Sequence, residues 1–286
     1  MADLLRALQA HPAWVGGVVG LIIGSFLNVV IHRMPLILER QWQRDAAQDG
    51  DDNTGPEAPF NLAMPSSHCP QCQHRLRWWE NVPVLSYLLL QGRCHACDAG
   101  IAWRYPAIEL FTALVLAACF AHWGLNWQAV MWSGFLCTLL ALAVIDWDTT
   151  LLPDQMTQPL TWAGLITAAL GGSGLSVADA LWGAVAGYLS LWLVYWLFKL
   201  CTGKEGMGYG DFKLFAALGA WFGWAALVPL ILLASLSGIA VGLVLQKRQQ
   251  LRENHYIPFG PFLALAAGVY MVGGDFFYTA GWALAR

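Results

Sequence analysis

Residues 129–154 read AVMWSGFLCTLLALAVIDWDTTLLPD, an apolar run from Ala129 to Ile145 that stops at three acids, Asp146, Asp148 and Asp154. The run approaches the ~20 residues that carry a helix across a bilayer, so it reads as a span with carboxylates at one end. Ionisable groups are costly where a span meets hydrocarbon. At the C-terminal end of a helix the macrodipole disfavours negative charge further and favours the protonated form. Asp146 therefore has no structural motive, and it becomes a candidate for chemistry.

Working outward, comparable apolar stretches lie at Ala13–Ile31, Ile108–Trp123, Met156–Leu170, Ala178–Leu200, Phe212–Trp221, Ala225–Leu245 and Phe259–Leu284. With the first run they predict an all-α polytopic membrane protein of about eight transmembrane helices. The Phe212–Trp221 stretch is short, and the turn at Phe222–Trp224 is tight enough that a seven-span reading stands beside it. Composition agrees: 58% of the 286 residues are hydrophobic and 12% charged, with a mean hydropathy of +0.52. One water-soluble core does not hide that much apolar surface. A net charge of −3 gives no ground for nucleic-acid binding. No basic stretch or small-residue cleavage site precedes the first run, so it is read as a retained span.

The charges fix an orientation. With eight spans and the N-terminus outside, all of the 15 Lys and Arg except Arg6 and Arg286 fall on inner loops, which is the positive-inside pattern. The loops Arg33–Arg104, Asp146–Asp154 and Cys201–Lys213 then face the cytoplasm. Three parts follow: residues 1–33 as the first transmembrane helix, 34–104 as a cytoplasmic loop, and 105–286 as a transmembrane core. Within the loop, Met34–Arg44 alternates like an interfacial helix. Asp45–Pro59 is acidic, with too little apolar area to order itself, and reads as a flexible linker.

From Ser66 to Gly100 two Cys-x-x-Cys pairs, Cys69 with Cys72 and Cys94 with Cys97, enclose Trp78, Trp79, Pro83 and Tyr87. Four thiolates close a tetrahedral zinc site, and a segment this small takes much of its folding free energy from such bonds. Four sulfurs leave no open coordination position, so the predicted role is structural or substrate-presenting.

A second acid cluster, Gly206-Met207-Gly208-Tyr209-Gly210-Asp211-Phe212-Lys213, opens the sixth apolar stretch at the helix end that favours an ionised carboxylate. Helix capping alone accounts for Asp211 but not for the glycines, which permit unusual backbone angles and close approach of another chain at Gly208 and Gly210. Aspartic proteolysis needs one carboxylate ionised and another protonated. The dipoles suggest Asp211 as base and Asp146 as acid. Asp148 points away from Asp146 on a continuing helix, Asp154 suits a cap for the next helix, and Glu109, with Arg104 as the nearer candidate partner, reads as structural.

With these motifs go Gly24-Ser25-Phe26-Leu27-Asn28, His32-Arg33, Arg104-Tyr105-Pro106 and Leu152-Pro153-Asp154. Together they resemble the prepilin peptidases, or type IV leader peptidases, a branch of the Gly-x-Gly-Asp membrane aspartic proteases, over nearly the whole chain. The resemblance implies cleavage of the basic leader of type IV prepilins and type II secretion pseudopilins after a glycine, at the cytoplasmic face of the bacterial inner membrane. It implies Asp146 and Asp211 as the catalytic pair. It also implies N-methylation of the new N-terminus with S-adenosylmethionine, although no glycine-rich cofactor fingerprint is present. The acidic stretch Asp45–Glu57 would suit a basic leader, or serve only as a solvated spacer. A proton-coupled transporter using intramembrane carboxylates is the rival class, but no repeat is visible and the acids sit at helix ends. A non-catalytic assembly factor leaves Asp146 without a purpose.

Overall fold

The computed structural model describes residues 9–48, 60–248 and 257–274. The acidic linker therefore lies largely outside the described residues, as does the second half of the stretch ending at Leu284. Among the described residues the chain is helical and carries no strand, only two isolated bridges. It divides into two compact units, Met1–Cys137 and Thr138–Arg286.

In the first unit, helix α1 (Pro12–Gln48) packs along helix α2 (Arg104–Trp123). Gly16, Gly20 and Gly24, one turn apart, form the contact stripe. A Cβ on them would meet the Leu116 carbonyl oxygen at 2.5 Å, the Ala113 Cα at 2.6 Å and the Glu109 Cα at 2.7 Å. In lipid, where apolar burial does not drive helices together, such a stripe gains contact by letting backbones approach. Asn28 Nδ2 donates to the Tyr105 carbonyl at 3.1 Å across the same interface. Buried Glu109 accepts from the Val84 amide at 2.8 Å and from the Ser25 hydroxyl, tying the cysteine segment to both helices.

The expected break between a span ending at Ile31 and an interfacial helix from Met34 does not occur, because α1 runs on through Pro35. Proline removes one ladder bond, and the turns around it are held from outside. Buried Arg33 donates to the carbonyls of Asn61, Leu62 and Pro65 at 3.0, 3.3 and 2.6 Å. Arg40 stacks its guanidinium over the Phe60 ring at 4.0 Å.

Helix α3 (Trp127–Thr149) begins in the first unit and brings its C-terminal half to the second. There follow α4 (Asp154–Ala169), α5 (Val177–Thr202), α6 (Tyr209–Phe222), α7 (Leu227–Lys247) and α8 (Gly260–Val272). From Asp211 to Trp221 every residue but Lys213 is buried, so α6, apolar over most of its surface, is the core of this unit. It packs between α4 and α5. Gly183 and Gly219 meet backbone to backbone there, and a Cβ on either would overlap the other's carbonyl oxygen. Gly164 leaves room for the Trp221 indole, whose Nε1 donates to the Leu160 carbonyl at 2.9 Å.

Among the described residues, five helices are long and apolar enough to cross a membrane: Pro12–Ala46, Arg104–Trp123, Trp127–Thr149, Val177–Thr202 and Trp224–Lys247. At 16, 14 and 13 residues, α4, α6 and α8 fall short of ~20. The sequence segments expected to span thus all hold helices, while length alone supports five crossings.

Candidate active site and cysteine cluster

Asp146 lies in the last turn of α3. That helix closes on Thr150, whose φ of +58° is left-handed and whose N–H donates to the Asp146 carbonyl at 2.8 Å. Such a φ is uncommon for a β-branched residue. The closure turns the chain toward Leu152-Pro153-Asp154 and leaves the Asp146 side chain pointing inward, 4% exposed. Two residues on, Asp148 is exposed. Asp154 starts α4 and receives Lys213 Nζ on both carboxylate oxygens at 2.7 Å. The three acids of one short stretch therefore have three different surroundings.

Asp211, on the first turn of α6, is 3% exposed. Its Oδ2 accepts the Gly208 N–H at 3.2 Å, so it does cap its own helix. The two acids singled out from sequence, 65 positions apart by 211 − 146, are both buried, and Leu152 lies against both Gly210, beside Asp211, and Gly260, beside Asp146.

The glycines act through space and not through unusual backbone angles, since none of Gly206, Gly208 and Gly210 is left-handed. A Cβ on Gly210 would press on the Leu152 Cβ at 2.6 Å, and one on Gly206 would press on the Phe198 ring at 2.9 Å. Gly210 is thus occupied by its own chain. At Gly208 the nearest atoms, Asp211 Oδ2 at 3.8 Å and the Gly210 nitrogen at 4.0 Å, would admit a Cβ.

Sequence reasoning missed Gly260. Its N–H, at the first turn of α8, donates to Asp146 Oδ2 at 2.9 Å in a buried position. Asp146 therefore sits at the C-terminus of one helix and against the N-terminus of another. Each of the two carboxylates thus has one oxygen on a glycine amide at a helix start. The Pro258-Phe259-Gly260-Pro261 stretch was the available signal, with prolines flanking a glycine at a helix start.

In the first unit the sulfurs of Cys69, Cys72, Cys94 and Cys97 all lie within 4.8 Å of one another. Cys69 and Cys97 are 3.9 Å apart, and Cys72 and Cys94 4.0 Å. Four sulfurs at about 2.3 Å from a tetrahedral ion stand roughly 3.8 Å from each other, so the donor set fits a metal ion. The two halves are built alike. Cys69 N–H bonds the His74 carbonyl and Cys94 N–H the Ala99 carbonyl, and the residue after each pair, Gln73 or Asp98, is left-handed at +60° or +55°. The amides of Cys72 and Gln71 pull the Cys69 thiol down to about 6. Beside the cluster, burial works to raise the Glu80 carboxyl, but the Arg77 amide at 2.6 Å and the His74 ring at 3.2 Å outweigh it. They hold Glu80 below the ordinary glutamate range.

Comparison with known proteins places these sites in context. Residues 18–123 match the bacterial peptidase A24 N-terminal domain, and residues 133–243 match the type IV leader peptidase family. A protein named prepilin leader peptidase/N-methyltransferase from Stutzerimonas stutzeri is 51% identical, over 90% of this chain and 89% of its own length. One of the same name from Pseudomonas aeruginosa is 49% identical over 95% of each chain. Another, from Aeromonas hydrophila, is 50% identical over 89% of this chain and 88% of its own. No solved structure matches the chain.

Proposed function

This chain belongs to the type IV leader peptidase family, and we propose that it is a membrane aspartic endopeptidase with Asp146 and Asp211 as its catalytic pair. It removes the leader of type IV prepilins and N-methylates the new N-terminus. One observation carries the assignment: the Asp146 and Asp211 carboxylates are both buried, 4% and 3% exposed, and Leu152 lies against both Gly210, beside Asp211, and Gly260, whose amide holds Asp146. In this reading the two buried acids do not both stay ionised, and the pair holds one proton.

The chemistry follows from that proton. The ionised carboxylate takes a proton from a water molecule as its oxygen bonds to the scissile carbonyl carbon, and the protonated partner gives its proton to the carbonyl oxygen. When the tetrahedral adduct collapses, the C–N bond breaks, the amine leaves with a proton from the first carboxyl, and the partner carboxylate takes back a proton from the diol oxygen that becomes the new carbonyl. Exclusion of bulk water strengthens both transfers.

Pseudopilins are the further substrates, and cleavage follows a glycine at the cytoplasmic face of the bacterial inner membrane. The distribution of Lys and Arg supports that orientation. The apolar substrate helix lies among the spans and their lipid while the leader stays in water. Cys69, Cys72, Cys94 and Cys97 hold a zinc ion, which supplies a closed structural link and no open position for water. The methyl donor is S-adenosylmethionine by resemblance, and no residue is assigned to hold it. Residues 1–33, 34–104 and 105–286 act as first span, metal-bearing loop and protease core. The relatives carry peptidase and methyltransferase names, which leaves the transporter reading without support.

The test is to incubate the detergent-purified protein with a prepilin and S-adenosylmethionine and weigh the product. A pilin starting one residue after the glycine and heavier by one methyl group is expected. Intact prepilin under these conditions would refute the assignment.

A further inference from the structure

We propose that Gly260 is a positioning residue for the dyad: its amide holds one oxygen of Asp146, as the Gly208 amide holds one oxygen of Asp211, and so fixes the orientation of the Asp146 carboxyl. The inference rests on the reading of Asp146 and Asp211 as the catalytic pair.

The geometry is direct. Gly260 N–H reaches Asp146 Oδ2 at 2.9 Å, and Gly208 N–H reaches Asp211 Oδ2 at 3.2 Å. Each carboxyl is thereby held in place by an N–H donated to its Oδ2. The two amides come from different helices, α8 and α6, so neither loop alone sets the arrangement.

Position 260 has to be glycine because of Asp146. Its φ lies outside the left-handed region, so backbone angle makes no demand there. A Cβ, however, would stand 2.6 Å from Asp146 Oδ2 and 3.2 Å from its Cγ, with Leu152 Cδ1 at 3.3 Å. An added methyl group would expel the carboxylate from the hydrogen bond. In the same helix, Gly268 has nothing within 4 Å of an added Cβ and serves as the matched control.

The experiment compares prepilin cleavage by the full-length protein with Gly260→Ala, Gly268→Ala, Asp146→Asn and the double variant Gly260→Ala/Pro261→Ala. Gly260→Ala is expected to lower kcat about 10²-fold, the scale of a reacting group misplaced by roughly 1 Å, with KM unchanged. Gly268→Ala is expected to match the parent. The double variant lifts the restriction that a following proline places on a non-glycine residue and is expected to stay as slow as the single. Full activity of Gly260→Ala, or recovery in the double variant, would overturn the inference. Cleavage by Asp146→Asn at the parent rate would instead overturn the catalytic reading itself. Where Gly260→Ala melts too early to assay, thermal unfolding decides. In an Asp146→Ala background the same substitution is expected to leave Tm unchanged, and an undiminished fall in Tm would show that the carboxylate is not what the methyl group meets.

Discussion

Lys213 Nζ bonds both carboxylate oxygens of Asp154, at 2.7 Å each, across 59 residues of sequence. Asp154 begins α4 directly after the Leu152 turn, and Lys213 follows Asp211 by two residues on α6. The pair therefore ties together the segments that follow one catalytic candidate and carry the other. Both partners are partly exposed, so its stability contribution is about 0.2–1 kcal/mol. Lys213→Met is expected to lower kcat about tenfold while moving Tm little, since misplacement near a reacting centre costs more in rate than in folding. Steady-state kinetics beside a melting curve checks this.

The contact of Gly183 with Gly219 admits no side chain. Gly183→Ala is expected to push α5 off α6 and cost about 1–3 kcal/mol, the usual range for overpacking. Because α6 carries Asp211, kcat should fall with it. Gly134→Ala, at a position with nothing within 4 Å, is the neutral comparison, and thermal unfolding in detergent ranks the two.

Loss of one sulfur should release the metal. Cys94→Ser leaves three thiols where four lie within 4.8 Å, and elemental analysis is expected to drop from about one ion per chain toward none, because such small sites fold on their metal. Hydrogen exchange of residues 66–100 should accelerate in the same protein.

Glu80 makes that domain acid-sensitive. Its carboxyl is held below the ordinary glutamate value in the folded state. The stability it contributes is therefore complete above the unfolded value, about 4.3, and is lost as pH falls through the lower folded value. Glu80→Gln is expected to be less stable at neutral pH and to show a flatter decline below about pH 4.3. Hydrogen exchange across that range distinguishes the two proteins.

Much of this architecture was legible from residue type and spacing. Apolar runs located the helices because hydrophobic length is a local property. Asp146 and Asp211 stood out because acids at span ends lack a structural motive, and the two Cys-x-x-Cys pairs because thiols at that spacing favour one chemistry. The helix-facing roles of Gly16, Gly20 and Gly24 were present as four-residue spacings but depend on which partner each helix meets. Gly260 acts through its backbone amide on a residue 114 positions away, and no side-chain pattern reports that. The start of a third helix, distant in sequence, lies against Asp146, and the dipole argument from its own helix alone did not include it.

The most direct measurement is single-turnover prepilin cleavage by Asp146→Asn, Asp211→Asn and the protein carrying both changes. Each single substitution is expected to slow cleavage by at least about 10³-fold, and the double variant to be no slower than the singles, because residues acting as one unit lose their function together. Substantial cleavage by either single variant, or a double loss equal to the product of the two single losses, would contradict a shared proton between Asp146 and Asp211.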